Sequence, residues 1–120
     1  MGLPATRRDL HLQSPGWRSG PVDLASSHRL RLRGLRPRPD GRGLLIRTRS
    51  VHGLGMREEV SIVGLGADGS VYRVGVLRPR GLAVMVQCRW ILELPIAEPL
   101  PTVGDGVMVF AGPATTVGGA

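Results

Sequence analysis

Apolar residues recur along this chain in short runs, and no long helical stripe is visible. Residues 43–47 form one such run, Gly-Leu-Leu-Ile-Arg, and predict a short strand. Residues 59–65 and 70–77 are rich in β-branched side chains and flank Gly66-Ala67-Asp68-Gly69. An Asp-Gly turn between two such runs predicts a β-hairpin. Along its second arm Val71, Arg73 and Gly75 oppose Tyr72, Val74 and Val76, so one face is the more apolar. Pro79 ends that arm. Residues 83–87 and 89–94 predict further strands, and Pro95, Pro99 and Pro101 a rigid connector. Gly104-Asp105-Gly106 turns into a last strand at 107–110, and residues 21–24 read as a short one near the start.

One segment is ambiguous. From Ser26 the text is Ser-Ser-His-Arg-Leu-Arg-Leu-Arg-Gly-Leu. As a strand, Leu30 and Leu32 alternate with Arg29, Arg31 and Arg33. As a helix, Ser26 or Ser27 caps the start, and His28, Leu32 and Leu35 form one stripe. Arg36-Pro37-Arg38-Pro39-Asp40-Gly41 then breaks any regular element. Residues 1–20 mix Pro, Ser, Gly, Arg and Trp17 without a period and read as a flexible basic leader. Residues 111–120 are rich in Gly, Ala and Thr and read as a disordered tail, which leaves 21–110 as a single β-rich domain.

Length and composition fit that reading. The 120 residues are 42% hydrophobic, enough for one core. The 18 Gly and 10 Pro, without a collagen period, exclude collagen, coiled coils and long bundles. No run approaches the roughly 18 apolar residues of a membrane-spanning helix. All 16 basic residues are Arg, and the formal net charge is +7. Eleven of them fall in residues 1–49 against three acids, so the basic character belongs to the first two-fifths. Arg29, Arg31, Arg33, Arg36, Arg38 and Arg42 could therefore grip RNA or another polyanion. Such modules usually add aromatic stacking platforms, and aromatics are only 3% of this chain. Compositional bias is the simpler account, and nucleic acid is a possible partner but not the favoured one.

The chemistry-bearing residues are few. Cys88 is the single cysteine, so no internal disulfide can form. A reducing, cytoplasmic setting fits, and the apolar run around Cys88 suggests a buried, inert thiol. The first residues lack the apolar stretch of a secretory signal. His11, His28 and His52 come without carboxylates at metal-ligand spacing, so no metal or cofactor is expected. The Gly64–Gly69 text matches GxGxxG, but strand text follows it where the dinucleotide mechanism requires a helix. It reads as the hairpin turn. The best site candidates are Arg49, His52 and Met56: an Arg beside a His could hold an anionic group, and Gly53 and Gly55 allow a close approach of backbone. Cys88, His52 and Glu93 could be drawn as a triad, yet nothing in their context supports catalysis. The chain reads as a non-enzymatic module for a small anionic ligand or a protein partner.

Residues 43–57, Gly-Leu-Leu-Ile-Arg-Thr-Arg-Ser-Val-His-Gly-Leu-Gly-Met-Arg, resemble the signature of the domain of unknown function 192 family. Further likenesses follow in order: the segment 25–35, the Asp68-Gly69 turn, Leu77-Arg78-Pro79, Trp90-Ile91-Leu92-Glu93-Leu94-Pro95 and Gly104-Asp105. The resemblance covers about residues 21–110. It implies an α+β, mostly β, barrel-like bacterial domain with one or two short helices, and it favours the helix for 25–35. By family position it also sets Met56 and Glu93 near Arg49 and His52. The family's usual aromatic-Pro-Ile-Asp is here Glu58-Glu59-Val60-Ser61, so its acidic position is Ser61. Two common Phe positions become Leu54 and Gly64.

Overall fold

The computed structural model describes residues 10–25 and 41–111. These form ten strands: β1 Leu10–Ser14, β2 Trp17–Arg18, β3 Val22–Ala25, β4 Gly43–Ile46, β5 Ser50–His52, β6 Val60–Leu65, β7 Val71–Leu77, β8 Leu82–Val84, β9 Trp90–Pro95 and β10 Met108–Ala111. An eight-stranded sheet runs in the order β10-β1-β3-β4-β9-β6-β7, with β2 paired to β1, and β5 and β8 make a separate two-stranded sheet.

The α+β class with one or two short helices is corrected by this arrangement. The described residues contain no helix, and the protein is all-β with a curled half-barrel sheet. The segment 25–35 begins at Ala25, the last residue of β3, and the rest of it lies outside the described residues. Strand pairing decides Ala25, because β3 runs parallel to β4 with Ala25 opposite Ile46. Leu10–Ser14 and Trp17–Arg18 lie within the expected leader, yet they form β1 and β2, with Leu12 fully buried.

Both faces of the main sheet are covered, which explains the continuous apolar runs of its central strands. Leu45, Val63, Leu65, Leu92 and Leu94 point to one side, where the curl closes over Leu12, Trp17, Val22, Val71 and Val107. Leu44, Ile46, Ile62 and Ile91 point to the other. There Val51 of β5, with Met85 and Cys88 after β8, completes a second core. The edge strand β7 is half-exposed, with Tyr72, Arg73 and Val76 outside and Val71 and Leu77 buried at its ends.

The curl has a local cause. The β6–β7 hairpin forms at the expected Asp-Gly turn, where Gly69 takes φ +87°. A Cβ at Gly69 would lie 2.6 Å from the carbonyl oxygen of Val107, so glycine suits both the dihedral and the contact. The Val107 amide donates to Gly69 O at 2.9 Å, and the Val71 amide to Asp105 O at 2.9 Å. These bonds and the Ser70–Gly106 bridge hold the tip of the hairpin against the segment entering β10. The two ends of the strand order are thereby drawn together. Trp17 is buried, and its indole Nε1 donates to Pro99 O at 2.8 Å, so the proline connector anchors β2.

The turn after β7 stores strain. The Gly81 amide donates to Arg78 O at 2.8 Å, with Pro79 and Arg80 between them. Arg80 is held at φ +66°. A left-handed non-glycine residue costs about 1–2 kcal/mol, against about 0.5–1 for the added freedom of glycine. Arg80→Gly is therefore expected to raise stability by about 0.5–1 kcal/mol, read as a higher urea midpoint at unchanged slope.

Candidate functional site

The candidate residues take separate places. Arg49 is exposed; its Nε donates to Cys88 O at 3.4 Å and its carbonyl accepts from the Met85 amide at 2.7 Å. It ties the second sheet to the loop after β8. His52 stands in β5 opposite Leu82, with Nδ1 buried and accepting or donating no hydrogen bond among the described residues. Met56 packs against the second core. Glu93 is 3% exposed in the middle of the main sheet, with Leu44 and Ile62 as its cross-strand neighbours. The close approach expected at Gly53 is made to the chain itself. Its amide donates to Gly81 O at 2.9 Å, its carbonyl accepts from Arg80 at 3.0 Å, and an added Cβ would strike Arg78 O.

Of the basic cluster, Arg29, Arg31, Arg33, Arg36 and Arg38 lie outside the described residues. Arg42 is described, and it is engaged. Its Nε and Nη2 both donate to Asp23 Oδ1, at 3.0 and 2.9 Å, with the side chains 13% and 14% exposed. The pair fastens the entry of β4 to β3. Hydrogen bonds to charged groups contribute about 1.5–3 kcal/mol, so Arg42→Ala is expected to cost about 2 kcal/mol in urea unfolding. Part of that loss should vanish when Asp23 is already alanine, the signature of direct coupling in a double-mutant cycle.

The cleft lies elsewhere. A cavity of about 430 Å³ opens inside the curl of the main sheet. Its walls are Leu10 of β1, Leu24 of β3, Leu45 of β4, Leu65 of β6, Trp90 of β9, Val107 just before β10 and Val109 within it. The hairpin tip, residues 66–69, closes one side. None of Arg49, His52, Met56 and Glu93 lines it. The cleft is the unfilled end of the first core: Leu12 and Leu92 are fully buried, whereas Val109, opposite Leu12 on the same sheet, is 51% exposed.

Among the described residues, Asp68 is the one titratable side chain in this lining. The Ser70 amide donates to its Oδ1 at 3.0 Å. That bond, with a further one from the Ser70 hydroxyl, holds the exposed Asp68 carboxyl below its ordinary range. The Cys88 thiol is pushed the other way, upwards, by burial. It sits in the second core against Gly64, away from the cleft.

No family model matches the chain, and no curated protein does. The fold does have solved counterparts. A protein of unknown function from Novosphingobium aromaticivorans DSM 12444 superposes with a TM-score of 0.65 at 15% identity, over 90% of this chain and 89% of the other. A candidate transcription regulator from Sinorhizobium meliloti 1021 superposes with a TM-score of 0.55 at 17% identity, over 88% and 93%. At these identities the likeness is one of fold. This chain therefore shares a small half-barrel architecture that spans nearly the whole of both counterparts. No helix among the described residues is long and apolar enough to cross a membrane.

Sequence reasoning missed the cleft because it searched for residue types that carry chemistry. The walls are leucines, valines and one tryptophan contributed by six strands and a turn. Each is an ordinary core residue in its own strand, and only the curl leaves them facing a common space.

Proposed function

We propose that the protein is a non-enzymatic binding module that takes a small, largely apolar ligand in the cleft inside its curled sheet. One observation carries this: a cavity of about 430 Å³ walled by apolar side chains and left open beside a packed core. Ligand sites are typically concave, mostly apolar and about 300–1,000 Å³. A lining whose described residues offer a single titratable group suits retention better than turnover, which generally needs paired acid and base groups. The proposed setting is the bacterial cytoplasm, where a lone buried thiol such as Cys88 stays reduced. Kinship with the domain of unknown function 192 family remains part of the proposal. Its signature segments fall on β4, β5 and β9, and they surround the first core and the second alike.

Trp90 supplies the assay. It lines the cleft, and Trp17→Phe leaves it as the only tryptophan. Titration with 1-octanol should shift the Trp90 emission and saturate. Val109→Phe, which enlarges a half-exposed residue at the mouth, should keep the fold and remove the saturable shift. Octanol that leaves Trp90 unchanged, or shifts it equally in Val109→Phe, would overturn the reading. RNA binding that falls steeply with salt and disappears on charge reversal of Arg31 and Arg33 would favour the polyanion alternative instead.

A further inference from the structure

The cleft has a chemical polarity as well as a shape. Its body is Leu24, Leu45, Leu65, Trp90 and Val109, and its charged side chain is Asp68, on the hairpin tip that closes one side. We infer that the cleft selects cationic amphiphiles, amines whose apolar body lies among those side chains and whose ammonium group stands at Asp68. This rests on the cleft being a ligand site, and it names the ligand class that such a site would prefer.

Three features support a cation over a neutral or anionic head. Asp68 stays ionised at neutral pH, since the Ser70 amide and hydroxyl stabilise its carboxylate. Asp68 is exposed, and a carboxylate offers about four lone-pair sites, so it keeps acceptor capacity beyond its bonds to Ser70. Trp90 adds an aromatic face to the same wall, and indole attracts ammonium groups more strongly than the other aromatic rings. The formal net charge of +7 acts against a cation. Among the described residues no Arg lines the cleft, Arg89 beside Trp90 included. Charges farther off than about 8 Å are largely screened at physiological salt. Among the described residues the local carboxylate therefore sets the sign of the preference.

The test compares octylamine, 1-octanol and octanoate, which share one chain and differ in head group, by calorimetry at pH 7 and 150 mM salt. An exposed ion pair and a cation–π contact together predict octylamine tighter than octanol by about fivefold, with octanoate the weakest. Asp68→Asn keeps an acceptor for the Ser70 amide and removes the charge. It should shrink the octylamine advantage over octanol to the smaller part that Trp90 supplies. Octanol that binds while octylamine shows no advantage, or an advantage undiminished in Asp68→Asn, would overturn the cationic class and leave the cleft reading standing. Failure of all three probes, with Val109→Phe also without effect, would overturn both.

Discussion

Replacing Gly64 with alanine is expected to destabilise the protein by about 2–3 kcal/mol, and removing the Cys88 sulfur should return much of that loss. Gly64 lies within β6, on the face that carries Ile62 into the second core. A Cβ there would collide with Cys88 Sγ and come within 2.5 Å of Met85 Sδ. Both side chains are buried, at 2% and 5% exposure, so neither can swing into solvent without giving up its packing. The Met85 thioether ends a flexible chain and can yield. The Cys88 sulfur turns about a single rotatable bond and has less room. In Gly64→Ala/Cys88→Ala the new methyl takes the space of the lost sulfur, since the Cys88 Cβ stands 3.6 Å away, an ordinary contact. Urea unfolding of the two single variants and the pair measures the coupling. Strictly additive losses would show that the sulfur does not occupy this space. The common Phe of the resembled family would not fit at Gly64 in this packing, so small residue and sulfur pair form one unit.

Leu45→Ala is expected to cost about 2–4 kcal/mol and at the same time to widen the ligand cleft. Leu45 is 5% exposed, pairs with Leu92 of β9 and Leu24 of β3, and belongs both to the first core and to the cleft wall. Removing its branched end leaves a void that opens into existing space. A bulkier apolar ligand can fill that void, and binding to the folded state alone raises stability by mass action. The expected result is a lower urea midpoint for Leu45→Ala without ligand, and a larger upward shift than wild type on adding 1-adamantanol. Leu92→Ala, beside it but outside the lining, should lose comparable stability and gain no such shift. Equal shifts in both variants would place the added space away from the cleft.

Several elements were legible in the residues because their signals are local. The Asp68-Gly69 turn, with β-branched runs on either side, dictates the β6–β7 hairpin through dihedral preference alone. The runs at 43–47, 89–94 and 107–110 correspond to β4, β9 and β10 within one or two residues. In each, apolar side chains bounded by Gly or Pro leave little alternative to a short strand. GxGxxG reads correctly as a turn for the same reason. Strand β1 escaped because Leu10 and Leu12 give only one alternation, and Pro15-Gly16 then interrupts the text. Its place in the sheet comes from pairing with β10, nearly a hundred residues away. Strand β5 escaped likewise, since its three residues are held by β8 and not by their own propensity. The short helices came from the resemblance, and the described residues form none.

The candidate site divides along the same line. Sequence by itself determined that the chain is β-rich, strongly basic in its first two-fifths, limited to one cysteine and poor in groups for catalysis. Those properties are sums or short-range patterns. The tertiary structure alone decided that Arg42 is engaged by Asp23, that Gly53 meets its own chain, and that Glu93 is buried among leucine and isoleucine. It also decided where the cleft is. That space exists because the hairpin tip is bonded to the segment before β10, which bends the sheet until leucines and valines far apart in the chain share one hollow. Concavity is a property of strand order and curl, and no residue carries it alone.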